Sequence, residues 1–446
     1  MEDCAALYTD LHAFAMVDAY LDEGMHDEAV FSLFVQRLPP GLNFLVACGL
    51  EEALRHLETL CFPRETLDHL ASLQCFSDRL LSYLERFRFS GEVSAVPEGT
   101  PMFPQEPLLE VVAPLPEAQL LETHLLHQLH LQTLTASKAT RVVSAAGGRP
   151  VMDHGLGSMY GLEMGTRMAR AAFIAGVQST SNVLAGHRHG LPLTGVLEHS
   201  FIQAHENELE AFRAFANGFP EMALLVDTYD TLRGVQYVIR LAREMGEAFR
   251  VRALRLSSGD LLALSRAARS LLDEAGLPRM KLFASGHLDE ARIARLIAQG
   301  APLDAFCLNT ALSVSPDVPA LEIAYKLVSY AGKDRIKLSS QRALYPGRKQ
   351  VFRMEEGGAA RRDVLARHGE ALPGRPLLQP VMRGGMRLEG ACPPVLEVRD
   401  HARRERERLP PETLELEPSS PPYRVEVSPV LAWTREQLID AWAASP

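Results

Sequence analysis

One histidine is the sharpest chemical feature of this sequence. His199 follows the apolar run of residues 191–197 and stands between Glu198 and Ser200. A neutral imidazole at the end of a strand can act as a nucleophile or as a general base. A single histidine is more often a hydrogen-bonded core residue, but here acidic clusters also follow the neighbouring apolar runs. This position favours a catalytic role for His199.

The next apolar run, residues 222–226, ends in two carboxylates. Asp227 and Asp230 lie in the string Asp-Thr-Tyr-Asp. A carboxylate beside an imidazole orients the ring and stabilises its cationic form. The same residue types also cap helix N-termini. One aspartate could therefore cap a helix while the other supports His199.

A third cluster combines Arg255 with Ser257-Ser258-Gly259-Asp260. Glycine and small hydroxyl residues at a strand-to-helix turn suit a phosphate or a ribose, because backbone N–H groups face the ligand. The signal is weak when it stands alone. Two later turns repeat it, at Ser285-Gly286 and at Asn309-Thr310.

Further candidates lie on a long helical pattern over residues 116–146. Lys138 and Arg141 could hold a pyrophosphate, although composition alone favours a solvated helix face. His124, His127 and His130 are spaced three apart, which could place them around a metal ion. Leucines alternate with them and no carboxylate repeats at that spacing, so packing or surface roles are favoured.

The elements that must position these residues read as a parallel sheet. Short apolar runs recur at intervals of roughly 20 to 45 residues, which is about one strand-helix unit each. Such a rhythm predicts parallel strands with crossover helices, and six units favour a closed or nearly closed barrel. Chemistry in these barrels sits at the carboxyl ends of the strands, where the polar clusters fall. The runs are residues 150–152, 191–197, 222–226, 251–256, 281–284 and 305–308.

The flanking segments have a different character. Residues 10–90 read as mostly helical, residues 91–112 as short strands, and the last 90 or so residues as an Arg- and Pro-rich segment with short strands. We predict an α/β class with three parts: an α+β domain over residues 1–145, an irregular TIM-like α/β barrel over residues 146–350, and a segment over residues 351–446 that wraps back to complete the first domain.

Composition excludes several classes of protein. The 446 residues include 46 Lys and Arg against 56 Asp and Glu, a net charge of −10 that argues against a general nucleic-acid partner. No apolar run approaches the roughly 18 to 20 residues of a membrane span. The first residues lack the basic region of a signal peptide, and the six cysteines form no C-x-x-C pair. A cytoplasmic location without a membrane partner is the expectation.

Several strings together resemble the nicotinate phosphoribosyltransferase family over nearly the whole chain. The resemblance implies a type II phosphoribosyltransferase, usually dimeric, with an irregular barrel beside a domain made from both chain ends. It implies NAD salvage: nicotinate and phosphoribosyl pyrophosphate give nicotinate mononucleotide, with Mg²⁺ and with ATP hydrolysis coupled through a phosphohistidine. The strings are Tyr8-Thr9-Asp10-Leu11, Thr180-Ser181-Asn182-Val183-Leu184-Ala185-Gly186, Asp227-Thr228-Tyr229-Asp230-Thr231-Leu232-Arg233-Gly234 and Pro346-Gly347-Arg348-Lys349-Gln350-Val351-Phe352-Arg353.

The resemblance also implies roles for single residues. His199 matches the phosphohistidine and Asp227 its carboxylate partner, and we count Asp260 with them as catalytic. Arg255 and Asp260 match the ribose and base site, Asp153 a ring-contacting aspartate, and Arg141 a phosphate ligand. The metal ligands are not assigned. The remaining predicted substrate-binding residues are Lys138, Ser257, Ser258, Gly286, Asn309, Thr310 and His12.

The sequence departs from the family pattern inside this predicted site. After Asp153 the family usually reads Phe-Gly-x-Arg-Arg, whereas residues 154–158 here read His-Gly-Leu-Gly-Ser. Ser257 replaces an aspartate, Asn309 replaces a glycine of a phosphate loop, and His12 replaces an aromatic residue. Losing a bidentate arginine weakens anion binding considerably. Two alternatives therefore accompany nicotinate transfer: another acceptor, or an inactive paralogue with a binding or regulatory role.

Overall fold

The chain folds into two compact units. The computed structural model describes residues 6–338 and 344–444, and the first unit combines Met1–Leu134 with Ala320–Pro446, while the second is Thr135–Pro319. These limits differ from the predicted boundaries at residues 145 and 350. Residues 320–350 join the first unit because the strand Ile323–Tyr330 pairs with the strand Glu28–Val35.

The second unit is the predicted barrel. Its parallel strands follow the spatial order Ser179–Thr180, Val151–Asp153, Ala305–Leu308, Lys281–Ala284, Ala253–Leu256 and Leu224–Leu225. Two parallel bridges, Thr180 to Leu193 and Val196 to Ala223, join the two outer strands through residues 193–196. The ring of pairing is therefore closed, which confirms the α/β class and the irregular barrel.

Side-chain caps fix where most of the barrel helices begin. Asn182, Asn207, Asp230, Asp260 and Asp289 each accept a hydrogen bond from a backbone N–H in the first turn of the helix that follows. Such caps satisfy donors that have no partner inside the helix. The helices are Leu162–Ile174, Val183–His189, His199–Gln203, Glu208–Gly218, Thr231–Met245, Leu261–Glu274, Glu290–Ala298 and Thr310–Val314.

The first unit is built on a seven-stranded antiparallel sheet. Its spatial order is Lys333–Asp334, Ile323–Tyr330, Glu28–Val35, Pro107–Pro114, Glu92–Ala95, Gln379–Arg383 and Met386–Arg387. The strand Glu28–Val35 lies within residues 10–90, which the sequence predicts as mostly helical. It is buried along nearly its whole length, so its apolar residues lack the alternation that marks a half-exposed strand. The unit's helices before residue 146 are Leu11–Asp22, Leu50–Thr59, Arg64–Ser72, Asp78–Glu85, Leu115–Leu120 and Glu122–Ala145, the last of which continues into the barrel unit.

The C-terminal segment adds a second sheet to the first unit. Its strands lie in the order Arg375–Pro376, Lys349–Glu356, Ala359–Arg367 and Arg424–Val427. A pair of short strands, Leu45–Val46 and Pro101–Met102, belongs to the same unit, as do the helices Val395–Glu407 and Pro429–Ala443. Among the described residues, no helix is both long and apolar enough to cross a membrane.

A buried charge cluster links the strands of this second sheet. Arg353 donates from Nε and Nη2 to the two carboxylate oxygens of Asp363, over 3.0 and 2.6 Å, and Tyr423 donates to Asp363 over 3.0 Å. Burial, reinforced by Asp363, raises the pKa of Glu106 well above its usual range. Arg353, which forms the ion pair with Asp363, opposes this rise.

The three histidines of the long helix have packing roles. The His124 ring stacks on His56 with centroids 3.4 Å apart, and the His127 ring meets the edge of Tyr8. His130 Nε2 accepts a hydrogen bond from the backbone of Leu321. In residues 6–338 and 344–444, no group of three or more His, Cys, Asp or Glu side chains could hold a metal ion. The ring contacts agree with the packing roles that the sequence favours.

Candidate active site

Asp227 ties together the ends of two neighbouring barrel strands. It follows the strand Leu224–Leu225, and its Oδ2 accepts hydrogen bonds from Ser257 N, Ser257 Oγ and Ser258 Oγ over 2.7, 2.8 and 2.8 Å. No described residue donates a hydrogen bond to Oδ1, which is buried. One carboxylate oxygen is therefore fully used by the turn, and the other remains an acceptor.

His199 begins the short helix His199–Gln203 at the end of a neighbouring barrel segment. Its Nδ1 lies 3.1 Å from Thr228 Oγ1. The sequence predicts Asp227 as the ring's partner, but in the described part of the chain the contact of the ring is with this hydroxyl. Thr228, the residue next to Asp227, therefore orients the imidazole.

The two other aspartates of these clusters act as helix caps. Asp230 Oδ1 accepts from Arg233 N over 2.8 Å, which confirms that one aspartate of the Asp-Thr-Tyr-Asp string caps a helix. Asp260 Oδ1 accepts from Leu262 N and Ala263 N, each over 3.1 Å. The predicted catalytic role of Asp260 stays a prediction, and a ligand would meet a carboxylate already oriented by the helix.

Arg255 is fixed inside the barrel by two contacts. Its Nε donates to Ser285 Oγ over 2.7 Å, and its Nη1 donates to Glu198 Oε1 over 2.9 Å. Cys307 lies in the strand Ala305–Leu308, and burial raises the pKa of its thiol to about 12, although Arg255 opposes the shift. The Cys307 thiol is therefore protonated and unreactive at neutral pH.

Asp153 is the last residue of the barrel strand Val151–Asp153. Its Oδ1 accepts from Gly155 N over 2.9 Å, and its Oδ2 accepts from Thr180 Oγ1 over 2.7 Å. Burial raises the pKa of Asp153, and these two hydrogen bonds oppose the rise. The carboxylate is therefore rigidly placed before any ligand arrives.

His154 follows Asp153 and is held neutral. Burial, with a smaller contribution from Arg255, lowers its pKa to about 4, and Glu198 opposes the shift. Its Nε2 is buried, and no described residue forms a hydrogen bond with it. His154 therefore brings a polar but uncharged ring to a position where the family usually has phenylalanine.

We expect a H154F variant to resist mild acid better than the wild type. The folded-state pKa lies below the usual value, so as pH falls from about 6.5 toward 4 the unfolded chain takes up the proton first and the free energy of unfolding decreases. Phenylalanine removes this contribution. Urea unfolding of both proteins at pH 7.5 and pH 4.5 measures the effect, and equal losses in the two proteins would contradict it.

Asn309 and Thr310 lie at the end of the strand Ala305–Leu308. Asn309 has φ −118° and ψ −114°, its side chain does not cap the following helix, and its buried Oδ1 lacks a hydrogen bond from the described residues. Thr310 Oγ1 lies 3.0 Å from Ser158 Oγ. The predicted phosphate loop therefore carries polar side chains that would have to rearrange around a phosphate.

Gly286 lets two turns approach each other. Its φ is +77°, and a Cβ built on it would lie 1.8 Å from the carbonyl oxygen of Ser257. Because Ser257 donates hydrogen bonds to Asp227, the close approach that Gly286 allows keeps the serine turn in place. Its predicted role in substrate binding stays a prediction, but its structural role is direct.

We expect G286A to destabilise the protein by more than about 2 kcal/mol and to lower activity, since the methyl group must push Ser257 away from Asp227. Gly276 is a matched control, because it has the same φ of +77° and a Cβ there would meet nothing within 4 Å. G276A should cost only about 1 kcal/mol. Thermal and urea unfolding compare them, and equal costs would contradict the steric argument.

Lys138 and Arg141 are paired with acids. Lys138 is buried, and its Nζ lies 2.7 Å from both Glu290 and Asp317, while Arg141 Nε donates to Glu290 over 2.9 Å. A solvated face, favoured by composition alone, is therefore wrong for Lys138. The helix Glu122–Ala145 places its ammonium group in the interior, and a buried charge needs a partner. Binding of pyrophosphate by these two cations stays a prediction.

His12 belongs to the first unit. It lies on the exposed side of the helix Leu11–Asp22, next to Leu11, which is also exposed. Its predicted contact with substrate stays a prediction.

Comparison with known proteins gives one consistent family. A model described as the nicotinate phosphoribosyltransferase (NAPRTase) N-terminal domain matches residues 7–130. Nicotinate phosphoribosyltransferase pncB2 of Mycobacterium tuberculosis is 49% identical over 423 residues, covering 95% of this chain and 91% of that protein. The chain belongs to the nicotinate phosphoribosyltransferase family.

Two further similarities support membership of the nicotinate phosphoribosyltransferase family. The Bacillus subtilis nicotinate phosphoribosyltransferase is 40% identical over 361 residues, covering 79% of this chain and 74% of that protein. The crystal structure of human nicotinic acid phosphoribosyltransferase superimposes with a TM-score of 0.84 at 28% identity, covering 96% of this chain and 99% of that one. The resemblance drawn from the motifs is confirmed.

One departure from the nicotinate phosphoribosyltransferase pattern has a direct physical consequence. An aspartate at position 257 would set a second carboxylate against Asp227, whereas Ser257 donates both its N–H and its hydroxyl to it. Ser257 therefore removes one negative charge beside Asp227 and supplies two hydrogen-bond donors to its Oδ2. Like charges at close range are costly.

Sequence reasoning overlooked two acidic residues of the site. Glu198, which holds Arg255, stands directly beside His199, and that adjacency was the available signal. Burial raises the pKa of Glu208 to about 7, Arg233 opposes the rise, and Asp230 and Asp227 add to it. Its influence depends on distant chain segments, so no local pattern in the sequence could have revealed it.

Proposed function

We propose that this protein forms nicotinate mononucleotide from nicotinate and phosphoribosyl pyrophosphate, and couples the reaction to ATP hydrolysis through phosphorylation of His199. Family membership over nearly the whole chain supports the reaction class. The observation that carries the proposal is one connected set of contacts at the barrel mouth. It runs from His199 to Thr228, and from Asp227, the neighbour of Thr228, to Ser257.

His199 is suited to accept a phosphoryl group. When its Nδ1–H donates to Thr228 Oγ1, the lone pair of Nε2 is available as the nucleophile. A bond from Nε2 to phosphorus then forms while the bond from that phosphorus to the oxygen of ADP breaks. Thr228 keeps the ring in the tautomer and orientation that this step requires.

The carboxylates at the mouth suit the glycosidic step. Cleavage of the bond between the ribose and pyrophosphate develops positive charge on the ribose ring, which fixed carboxylates stabilise. Asp153 and Asp227 are both fixed by hydrogen bonds in advance. In this proposal Asp260 contacts the ribose, and Ser258 contacts the phosphate on the ribose.

Magnesium enters the proposal with the substrate. The described residues contain no three-ligand cluster for a metal ion. Mg²⁺ commonly binds through substrate phosphates together with one or two carboxylates, where it neutralises the charge of a pyrophosphate leaving group. Asp227, whose Oδ1 is buried without a hydrogen bond from a described residue, fits as one such carboxylate.

The decisive experiment is an assay with the purified protein. Nicotinate, phosphoribosyl pyrophosphate and Mg²⁺ are supplied with and without ATP, and nicotinate mononucleotide is measured by chromatography and mass. We expect product in both reactions and a higher kcat/KM for nicotinate with ATP. Absence of product across substrate concentrations would overturn the proposal.

A different acceptor is the second candidate function. The observation that favours it is the loop of residues 154–158, which carries no arginine where the family usually has two. A panel of heterocyclic acids and amides, each with phosphoribosyl pyrophosphate, tests it directly. Absence of any binding of phosphoribosyl pyrophosphate in calorimetry would instead indicate an inactive paralogue with a regulatory role.

We also propose a cytoplasmic homodimer, as the family resemblance implies. Among the described residues no disulfide joins the cysteines Cys48, Cys61, Cys75, Cys307 and Cys392, which is typical of a reducing compartment. Light scattering on the purified protein measures its mass, and twice the chain mass of 49.2 kDa is the expected result.

A further inference from the structure

The strand ends at the barrel mouth carry one arginine or lysine of their own. The seven segments at the carboxyl ends of the barrel strands, all within the described residues, contain one arginine or lysine, Arg255. They are residues 153–158, 180–183, 197–201, 226–230, 255–260, 285–288 and 308–312. An anionic group on an acceptor that enters this mouth therefore has Arg255 as its nearest permanent counter-charge from these segments.

Glu198 already occupies that cation. Its Oε1 lies 2.9 Å from Arg255 Nη1, while Ser285 holds Arg255 Nε. The Glu198 side chain is 60% exposed and the Arg255 side chain only 7%. Glu198 is thus the solvent-facing member of the pair, and a ligand that approaches the guanidinium meets its carboxylate first.

The other cations near this pair have partners of their own. Arg292 Nη1 donates to the carbonyl oxygens of Gly286 and His287 over 3.3 and 3.4 Å. His154, which interacts electrostatically with both members of the pair, is neutral at physiological pH. Lys138 and Arg141 are each bound to Glu290. A second carboxylate at Arg255 would therefore add like charge beside Glu198, which is unfavourable.

We propose that Glu198 sets the charge preference of the acceptor subsite by competing with the acceptor's carboxylate for Arg255. The inference rests on the proposed function, since it takes a pyridine carboxylate as the acceptor. Such an acceptor must displace Glu198 from Nη1 or share the guanidinium with it. An uncharged ring amide does neither, and its N–H₂ group can donate to Glu198.

The test is a comparison of E198Q with the wild type. Glutamine keeps the size of the side chain and removes its charge. Equilibrium binding of nicotinate and of nicotinamide is measured by calorimetry on the full-length protein. We expect E198Q to bind nicotinate about tenfold more tightly and nicotinamide within about twofold of the wild type.

A matched control removes a charge elsewhere in the same barrel. Glu221 is exposed and lies 3.5 Å from Arg252, which precedes the strand Ala253–Leu256 at its amino end. E221Q should leave both affinities unchanged. The inference would be overturned if E198Q changed the affinities for nicotinate and nicotinamide equally or left both unchanged. It would also be overturned if neither ligand bound.

Turnover separates this inference from the proposed function. If the wild type makes nicotinate mononucleotide, E198Q should lower KM for nicotinate with kcat within about twofold, because Glu198 acts on binding of the ground state. If nicotinate binds with the expected shift but no product forms in either protein, the proposed function fails while the inference holds. If product forms and the affinity ratio is unchanged, the inference fails alone.

Discussion

Replacing His199 by alanine is expected to remove ATP stimulation and to lower kcat/KM for nicotinate at least about a hundredfold in the presence of ATP. The reason is that Nε2 of His199 is the proposed phosphoryl acceptor, and the short helix His199–Gln203 presents no second imidazole at this position. Initial rates with and without ATP measure the effect. Labelling with γ-³²P-ATP should give an acid-labile phosphoprotein only in the wild type.

Two further variants sharpen this result. T228V removes the hydroxyl beside His199 Nδ1 and keeps the imidazole, so a partial loss is expected because the ring loses its preferred tautomer and orientation. His205 lies six residues away, with its Nδ1 2.7 Å from the carbonyl oxygen of Phe201. H205A should keep the ATP effect, and an H199A variant that still labels would contradict the assignment.

Replacing Arg353 by alanine is expected to lower the free energy of unfolding by about 3 to 5 kcal/mol, because it leaves a buried carboxylate without its counter-charge. Asp363 loses two hydrogen bonds, and the neighbouring Glu106 loses the cation that opposes the rise of its pKa. Urea unfolding followed by circular dichroism measures the loss.

Arg361 offers the matched comparison for this second result. It lies 3.3 Å from Glu356 with both side chains exposed, in the strand that also carries Asp363. R361A should cost less than about 1 kcal/mol, as exposed ion pairs usually do. Equal losses in the two variants would show that burial of the Arg353 pair carries no special weight.

The barrel could be predicted because its signals are local. Five of the six strands in the barrel sheet are short apolar runs that end at a polar turn, and the exception is Ser179–Thr180. Asp230 and Asp260 stand at the starts of helices where caps belong. The strands observed at Lys281–Ala284 and Ala305–Leu308 begin and end where the runs do. The packing roles of the histidines near residue 127 followed from the leucines between them.

What the sequence could not provide depends on distant pairing. Glu290 joins Lys138 across about 150 residues, so a cation that looks solvated by composition is in fact buried. The strand Glu28–Val35 is buried along nearly its whole length, so it lacks the alternation of a half-exposed strand, and that burial comes from segments far along the chain. The serine turn captures Asp227, and only the folded structure reveals that the His199 ring meets Thr228 instead.

The division of the first unit into two stretches of chain has a consequence for synthesis. Ala95 pairs with Gln379, so the central sheet acquires its last partners only after the whole of residues 135–319 has emerged from the ribosome. The barrel, which is continuous in sequence, can close earlier. Until the strand Gln379–Arg383 pairs with it, the strand Glu92–Ala95 presents an open edge, and such edges promote aggregation. A nascent chain from which residues 135–319 have emerged, but residues 379–383 have not, should therefore carry a folded barrel and an incomplete first unit that depends on chaperones.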